Sequence, residues 1–387
     1  MLSTRIAFTA LLALALAGSA AAQETGNFVV RLGRDTTAVE HFTRSPGRLV
    51  IDQAGRSPRV FQRHVEYAFG RGGALSHASL RITAPGAPAG APPFQLIEVS
   101  VEPDSYVTEV RRDTARQVVR AALPPGAVVI TGSTPWSTYE GLTMRLAAGR
   151  ADSLSLPMCY IGGTNAIHVT VQRLGRDSMA IRTTYDLYHA HVDKAGHLLH
   201  VTPLGGTQQF TVDRVAALDV PAMAAAFAAR EKQGEGLGTL STRDTVRAGA
   251  GGAALWIDYG RPAKRGRTVF GGVVPWGGVW RTGANAATQF RTDKDLVMGG
   301  VTVPAGFYTL WTVPGPDGWK LIVNSETGEW GTEHKPEKDL YTIPMSVSAL
   351  PDPVERFTIG VEPAAQGGVL NLDWDTTRAS VAFSVKP

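Results

Sequence analysis

The chain has 387 residues, with 38 lysines and arginines against 34 aspartates and glutamates, and a single cysteine, Cys159. That length allows two cores of ordinary size. A formal charge of +4 with acids and bases interspersed lacks the clustered basic footprint of a nucleic-acid binder, and one cysteine excludes an intramolecular disulfide.

The first element is a leader. Arg5, the apolar run from Ile6 to Ala17 and the small residues Gly18 to Ala22 follow the three-part order of a signal peptide. The run is too short for a helical span, and no later segment reaches roughly 18 apolar residues. Residues 1–22 are therefore expected to be cleaved after Ala22. No cysteine follows the run to carry a lipid, so the mature chain is expected free in the periplasm or outside the cell.

Residues 23–217 read as an N-terminal β domain, because short alternating runs are broken by Gly, Pro and Asp. A curved antiparallel sheet or partial barrel is expected, with residues 84–93 as a surface loop. A short helix is predicted from Ser137, with Ser137 and Glu140 as a capping box ahead of Leu142 and Leu146. Such a helix would plug or cross the sheet. The segment Arg31 to Ala38 recurs weakly as Arg173 to Ala180, each copy predicting a hairpin turned at Gly-Arg-Asp. Met158, Tyr160 and Ile161 around Cys159 mark its thiol as buried, not nucleophilic.

His189, His191, His197 and His200 flank the turn Asp193-Lys194-Ala195-Gly196. A two-residue turn groups His189, His191 and His200 on one face, whereas a bulged turn using Gly196 groups His189, His191 and His197. Three imidazoles in this arrangement are a candidate zinc or copper site. The competing reading is an exposed His-rich hairpin, since no carboxylate is evident to orient the imidazoles through their other nitrogens.

Residues 218–239 read as a linker. Pro221 is placed to open an Ala-rich helix carrying Met223 and Phe227, and Gly234, Gly236 and Gly238 end it. The glycines follow a helix, so they do not match a dinucleotide loop, which must follow a strand.

Residues 240–387 read as a C-terminal antiparallel β-sandwich or jelly roll. Strands are expected over 245–247, 254–259, 288–292, 307–313, 319–324, 344–348, 355–361, 369–375 and 379–385. Asn371, Asp373 and Asp375 form a solvated acidic face with too few oxygens for calcium. No zinc-protease helix, nucleophile elbow or phosphate loop occurs.

This module carries Tyr259-Gly260-Arg261-Pro262, Phe270-Gly271-Gly272-Val273-Val274-Pro275-Trp276, Val279-Trp280-Arg281-Thr282-Gly283-Ala284-Asn285 and Gly328-Glu329-Trp330-Gly331. Pro304 to Leu310, Leu350 to Glu355 and Trp374 to Arg378 continue the pattern. With these motifs, residues 254–385 resemble the bacterial family called domain of unknown function 2911. The resemblance implies an exported β protein and brings no activity with it.

Strand alternation puts Leu255, Ile257 and Tyr259 on one face, with Arg261 continuing it, and sets Trp280 opposite Arg281. A cleft formed by Tyr259, Arg261, Arg281 and Asn285, walled by Trp276 or Trp330, would suit a carboxylate or sugar. The opposing reading makes the same arginines structural ion pairs and the tryptophans core. The function favoured by this pattern is a non-catalytic envelope or secreted binding protein with a small acid, sugar or peptide ligand in the C-terminal domain. The alternatives are a hydrolase of envelope or imported polymers, which needs a carboxylate or His334 near the cleft, and a purely structural module. No cofactor is expected beyond the zinc or copper considered at the histidines, and no nucleic-acid partner or transmembrane span.

Overall fold

The computed structural model describes residues 23–70, 74–88, 90–131, 135–162, 166–206 and 208–386. The leader expected at 1–22 lies outside the described residues. Alternating apolar positions lay the first half of the chain into strands β1 (Glu24–Leu32), β2 (Asp35–Ser45), β3 (Arg48–Gly55), β4 (Phe61–Phe69), β5 (Leu75–Thr83), β6 (Gln95–Val101), β7 (Ser105–Arg112), β8 (Ala115–Ala122) and β9 (Val128–Ile130). After helix α1 (Trp136–Ala148) come β10 (Ser153–Tyr160), β11 (Ala166–Arg173), β12 (Ser178–Thr183), β13 (Asp186–Val192), β14 (Leu198–Gly206) and β15 (Thr211–Arg214).

These strands form one 15-stranded sheet in which β1 and β15 pair at the centre and β8 and β9 are the free edges. Its ladders are antiparallel except that between β9 and β10. Among the described residues no ladder joins β8 to β9, so the barrel stays open. The two flanks nevertheless approach each other, because the Tyr106 hydroxyl of β7 donates to the Tyr160 carbonyl of β10 at 3.0 Å.

Helix α1 fills the hollow of this curved sheet. Trp136, Tyr139, Leu142 and Leu146 share one core with Phe28, Phe42, Ile51, Val65 and Ile181. The expected capping box is absent: the N-cap is Pro135, and Ser137 lies inside the first turn. Glu40 of β2 takes over instead, its carboxylate accepting from the Trp136 N–H at 2.8 Å and the Ser137 N–H at 3.0 Å. A carboxylate at a helix N-terminus meets both orphan donors and the positive end of the dipole. Glu140, fully buried, faces the sheet and accepts from the Leu198 N–H and from the guanidinium groups of Arg44 and Arg214.

The opposite face of β2 and β3 is covered by helix α2 (Val220–Arg230), whose Val220, Ala224 and Phe227 pack on Val39 and Ala54. Asp219 is its N-cap, accepting from the Ala222 N–H at 2.9 Å. Pro221 is thus its second residue, not its first. It remains compatible because that position lies among the first-turn N–H groups that lack helical partners.

The second half forms β16 (Ser241–Ala250), β17 (Ala253–Pro262), β18 (Thr288–Thr292), β19 (Leu296–Met298), β20 (Val301–Val303), β21 (Gly306–Val313), β22 (Trp319–Asn324), β23 (Asp339–Ala364) and β24 (Gly367–Val385). Their order is β16-β17-β18-β21-β22-β23-β24-β19-β20. The first part of β23 pairs with β22 and the rest with β24, with register shifts between Ala349 and Thr358. Pro351 and Pro353 fall in that stretch, where missing N–H donors interrupt the ladder. The bend folds the sheet over into a sandwich around Ile257, Tyr259, Trp280, Phe290, Phe357 and Trp374. Strand β24 is also less open than expected. Asn371 is buried, Asp373 is held bidentately by Arg378, and Asp375 pairs with Lys264 at 2.5 Å, so this face is neutralised, not solvated.

The two units touch through the first copy of the repeated segment. Its turn presents the Arg34 N–H to the Arg265 carbonyl at 3.1 Å. Gly33 has φ +59°, and a Cβ there would lie 2.2 Å from that same carbonyl oxygen, so only glycine fits without a shift.

Candidate functional site

The Val279 to Asn285 segment makes a short bridge and then a tight turn. The backbones of Trp280 and Thr312 exchange hydrogen bonds of 2.7 and 2.8 Å. Trp280 is buried and stacks on Trp374 at 5.9 Å, with its indole N–H donating to the Gly283 carbonyl at 3.1 Å. Beyond it the backbone enters the left-handed region at Thr282 (φ 52°) and Asn285 (φ 64°). Asparagine tolerates that region, but a β-branched threonine does so only under strain that surrounding contacts hold in place. Here Thr282 is fully buried, and its carbonyl accepts from the Thr288 hydroxyl at 2.7 Å.

Two motif glycines make room for this turn. A Cβ on Gly260 would sit 2.1 Å from the Ala284 carbonyl oxygen. One on Gly331 would sit 2.1 Å from Cδ of Arg281 and 2.4 Å from the Asn285 carbonyl oxygen. The glycines of the Tyr-Gly-Arg-Pro and Gly-Glu-Trp-Gly motifs therefore seat the loop that carries Arg281 and Asn285.

That loop aims Arg281 across the junction, where its Nη2 donates to the Gly206 carbonyl at the end of β14, 3.0 Å away. Burial pushes its guanidinium down to about 10, opposed by the nearby Asp186 carboxylate, so it is charged at neutral pH. Arg267 is also held down to about 10 by burial and donates to the Ala263 and Lys264 carbonyls. Both arginines line a 240 Å³ cavity between the sheets, with Gln208, Gln209 and Phe210 on one side and Trp280, Asn285 and Trp374 on the other. No carboxylate, histidine or cysteine is among its described lining residues. Two cations, three amide side chains and aromatic walls form a cavity complementary to a small anion.

Of the six residues expected at the cleft, the structure brings together Arg281 and Asn285. Tyr259 is a core residue whose oxygen accepts from the Ile359 N–H at 3.0 Å. Arg261 continues the Tyr259 face, but there it is taken up by Asp244, the Phe357 carbonyl and the Thr358 hydroxyl. Trp276 is 44% exposed and lies against Phe270. Trp330 meets Tyr185 of the N-terminal unit edge-on at 5.8 Å, beside the cavity but not lining it. His334 is tied to Asp339 at 2.9 Å and packs on Trp311, also away from the cavity.

The histidine hairpin has a five-residue connection, Asp193 to His197, with a register shift that puts His191 directly opposite His200. His189, His191 and His200 share a face by alternation, yet each meets a separate partner: the Ser178 hydroxyl at 2.7 Å, Asp177 at 3.6 Å and Asp213 at 2.7 Å. His197 instead bonds Asp193 at 2.7 Å within the turn. Among the described residues no group of three His, Cys, Asp or Glu side chains is disposed to hold a metal ion.

Sequence reasoning missed Arg267, Gln208, Gln209 and Asp186. The only local signal was the basic run Lys264-Arg265-Gly266-Arg267.

Residues 241–383 match the family described as protein of unknown function DUF2911. The match takes in the Arg281 loop and both glycines that seat it, whereas the N-terminal region has no family match. No curated protein matches the chain. Among solved structures the chain is similar to a DUF1089 family protein from Pseudomonas aeruginosa, at 11% identity and a TM-score of 0.30, covering 43% of this chain and 90% of that one. It is also similar to a botulinum neurotoxin type C structure, at 9% identity and a TM-score of 0.13, covering 95% and 88%. Neither likeness is strong enough to assign a fold or a role. Among the described residues, no helix is long and apolar enough to cross a membrane.

Proposed function

We propose that this is an exported, non-catalytic binding protein whose ligand is a small organic acid held at the junction of its two units. The observation that carries the reading is the cavity lining, in which two half-buried arginines face a space bounded by amides and aromatics, with no acid among its described lining residues. A carboxylate entering it gains paired, bidentate hydrogen bonds between two opposite charges, which a sugar or neutral peptide does not offer. The lining also lacks a base to activate its serines, Ser57 and Ser241, which favours binding over hydrolysis. Export rests on the leader at residues 1–22 and agrees with a chain whose one thiol is buried.

The test is a thermal-shift and calorimetric screen of the mature protein against mono- and dicarboxylic acids, each paired with its neutral amide. An acid present at 100 times its dissociation constant stabilises the fold by about 2.7 kcal/mol, and its amide does not. If acids and amides shift the transition equally, or neither does, the reading fails.

A further inference from the structure

A second surface lies on the outer face of the C-terminal sheet, away from the junction. The register sets four side chains in a row across β16, β17, β18 and β21: Arg247 opposite Trp256, Trp256 opposite Arg291, and Arg291 opposite Phe307. Their sequence neighbours Leu255, Ile257, Phe290 and Tyr308 are buried, so alternation turns the row outward. The Trp256 and Phe307 rings lean together over the strand between them, with centroids 5.8 Å apart, and Phe307 is 46% exposed. The row borders an open hollow of about 900 Å³.

The two arginines of this row, Arg247 and Arg291, have no direct ion-pair partner or side-chain hydrogen bond among the described residues, whereas Arg243 on the same face is taken up by Asp258 at 2.8 Å. The one acid at the hollow, Asp293, is occupied in accepting from the Ala254 N–H at 2.7 Å.

We propose that the Arg247-Trp256-Arg291-Phe307 row is a binding platform for an acidic polysaccharide. The two arginines stand two strands apart, roughly 10 Å in backbone spacing, with an aromatic pair beside and between them. That separation suits a chain presenting successive carboxylates better than one small acid gripped by both. The rings supply apolar faces for sugar rings, and each guanidinium offers a fork to a uronate. This platform is independent of the junction cavity, so either assignment can fail without the other.

The experiment is affinity electrophoresis and calorimetry of the full mature protein with polygalacturonate, its methyl-esterified form, neutral dextran and anionic phospholipid vesicles. Polygalacturonate should retard the protein in a salt-sensitive way, and the esterified form and dextran should not. Trp256→Ala and the double variant Arg247→Gln/Arg291→Gln should each weaken binding about tenfold or more, with an unchanged thermal transition showing that the fold is intact. Phe307→Leu serves as a milder variant should Trp256→Ala fail to fold, and it too should weaken retardation. Failure to bind polygalacturonate, equal binding of the esterified form, retention of affinity in folded variants, or binding to vesicles alone would each overturn the proposal.

Discussion

Asp35 and Arg265 hold the two units together: Nη1 of Arg265 lies 2.6 Å from Oδ2 of Asp35, and the Arg265 side chain is only 8% exposed. The same arginine has φ 51°, and its backbone N–H donates to Glu355 at 2.9 Å. Its carbonyl takes the Arg34 N–H, so one residue fastens β23 and the β1–β2 turn at once. Replacing Asp35 with Ala leaves a largely buried guanidinium without its carboxylate, a loss of about 3 kcal/mol. Urea unfolding is expected to show that loss and a separation of the two units' transitions. A single transition with an unmoved midpoint would mean the pair does not couple them.

The repeated segment supplies an internal control. Gly33 has positive φ and meets the Arg265 carbonyl, whereas a Cβ on Gly175, in the second copy, meets only Cβ of Ser178 at 3.8 Å. Gly33→Ala is expected to destabilise by about 1 kcal/mol or more, and Gly175→Ala to stay within about 0.5 kcal/mol. Equal effects in thermal unfolding would show that neither the positive φ at Gly33 nor its contact with Arg265 constrains the fold.

These contrasts also mark what was legible in the sequence. Alternation sufficed to separate Trp280 from Arg281 and to find most strands, because inner and outer positions differ in polarity along one strand. The hairpin of β19 and β20 escaped, since each strand has only three residues and the period cannot establish itself. The helix at α1 was visible from its local pattern. Its cap was not, because Glu40 comes from 96 positions earlier. The cavity was half legible for the same reason. Arg281 and Asn285 share a motif, but Gln208 and Gln209 join them only where the two sheets meet.

His64 offers a pH test. Its ring bonds Asp52 at 2.8 Å and Glu66 at 3.0 Å, and the Asp52 hydrogen bond raises its pKa above the usual histidine value. The folded state thus binds the proton more tightly than the unfolded chain. The contribution is fully present below the unfolded value near 6.5 and is lost as pH rises through the raised folded value. Stability of the wild type relative to His64→Gln should therefore fall as pH rises above that point. An NMR titration placing the His64 midpoint at or below the model-peptide value would contradict this.

Cys159 should be silent in the native state. It is 1% exposed, and burial pushes its thiol up, so little thiolate forms and reagents cannot reach it. Ellman's reagent is expected to titrate one thiol only after denaturant is added. Rapid reaction of the folded protein would place the thiol at an accessible position.

Asn285→Asp isolates recognition from scaffolding at the junction cavity. Aspartate matches asparagine in size and is also tolerated in the left-handed region, so the φ of 64° should persist. The Asn285 backbone carbonyl, which accepts from the Gly331 N–H at 2.9 Å, is untouched by the change. What changes is the charge of the lining, which gains a carboxylate alongside Arg267 and Arg281. In the absence of ligand that carboxylate sits near cations, and stability should hold or rise slightly. A bound organic acid would instead meet a like charge, which costs several kcal/mol at close range, so any acid-induced thermal shift should disappear. Arg281→Gln complements it from the other direction. That variant loses the charge-assisted bond to the Gly206 carbonyl and the attraction to Asp186, about 2 kcal/mol or more, together with the ligand response. An Asn285→Asp protein that unfolds early would make Asn285 scaffold. One that keeps the full acid-induced shift would remove the cavity from consideration as the carboxylate site.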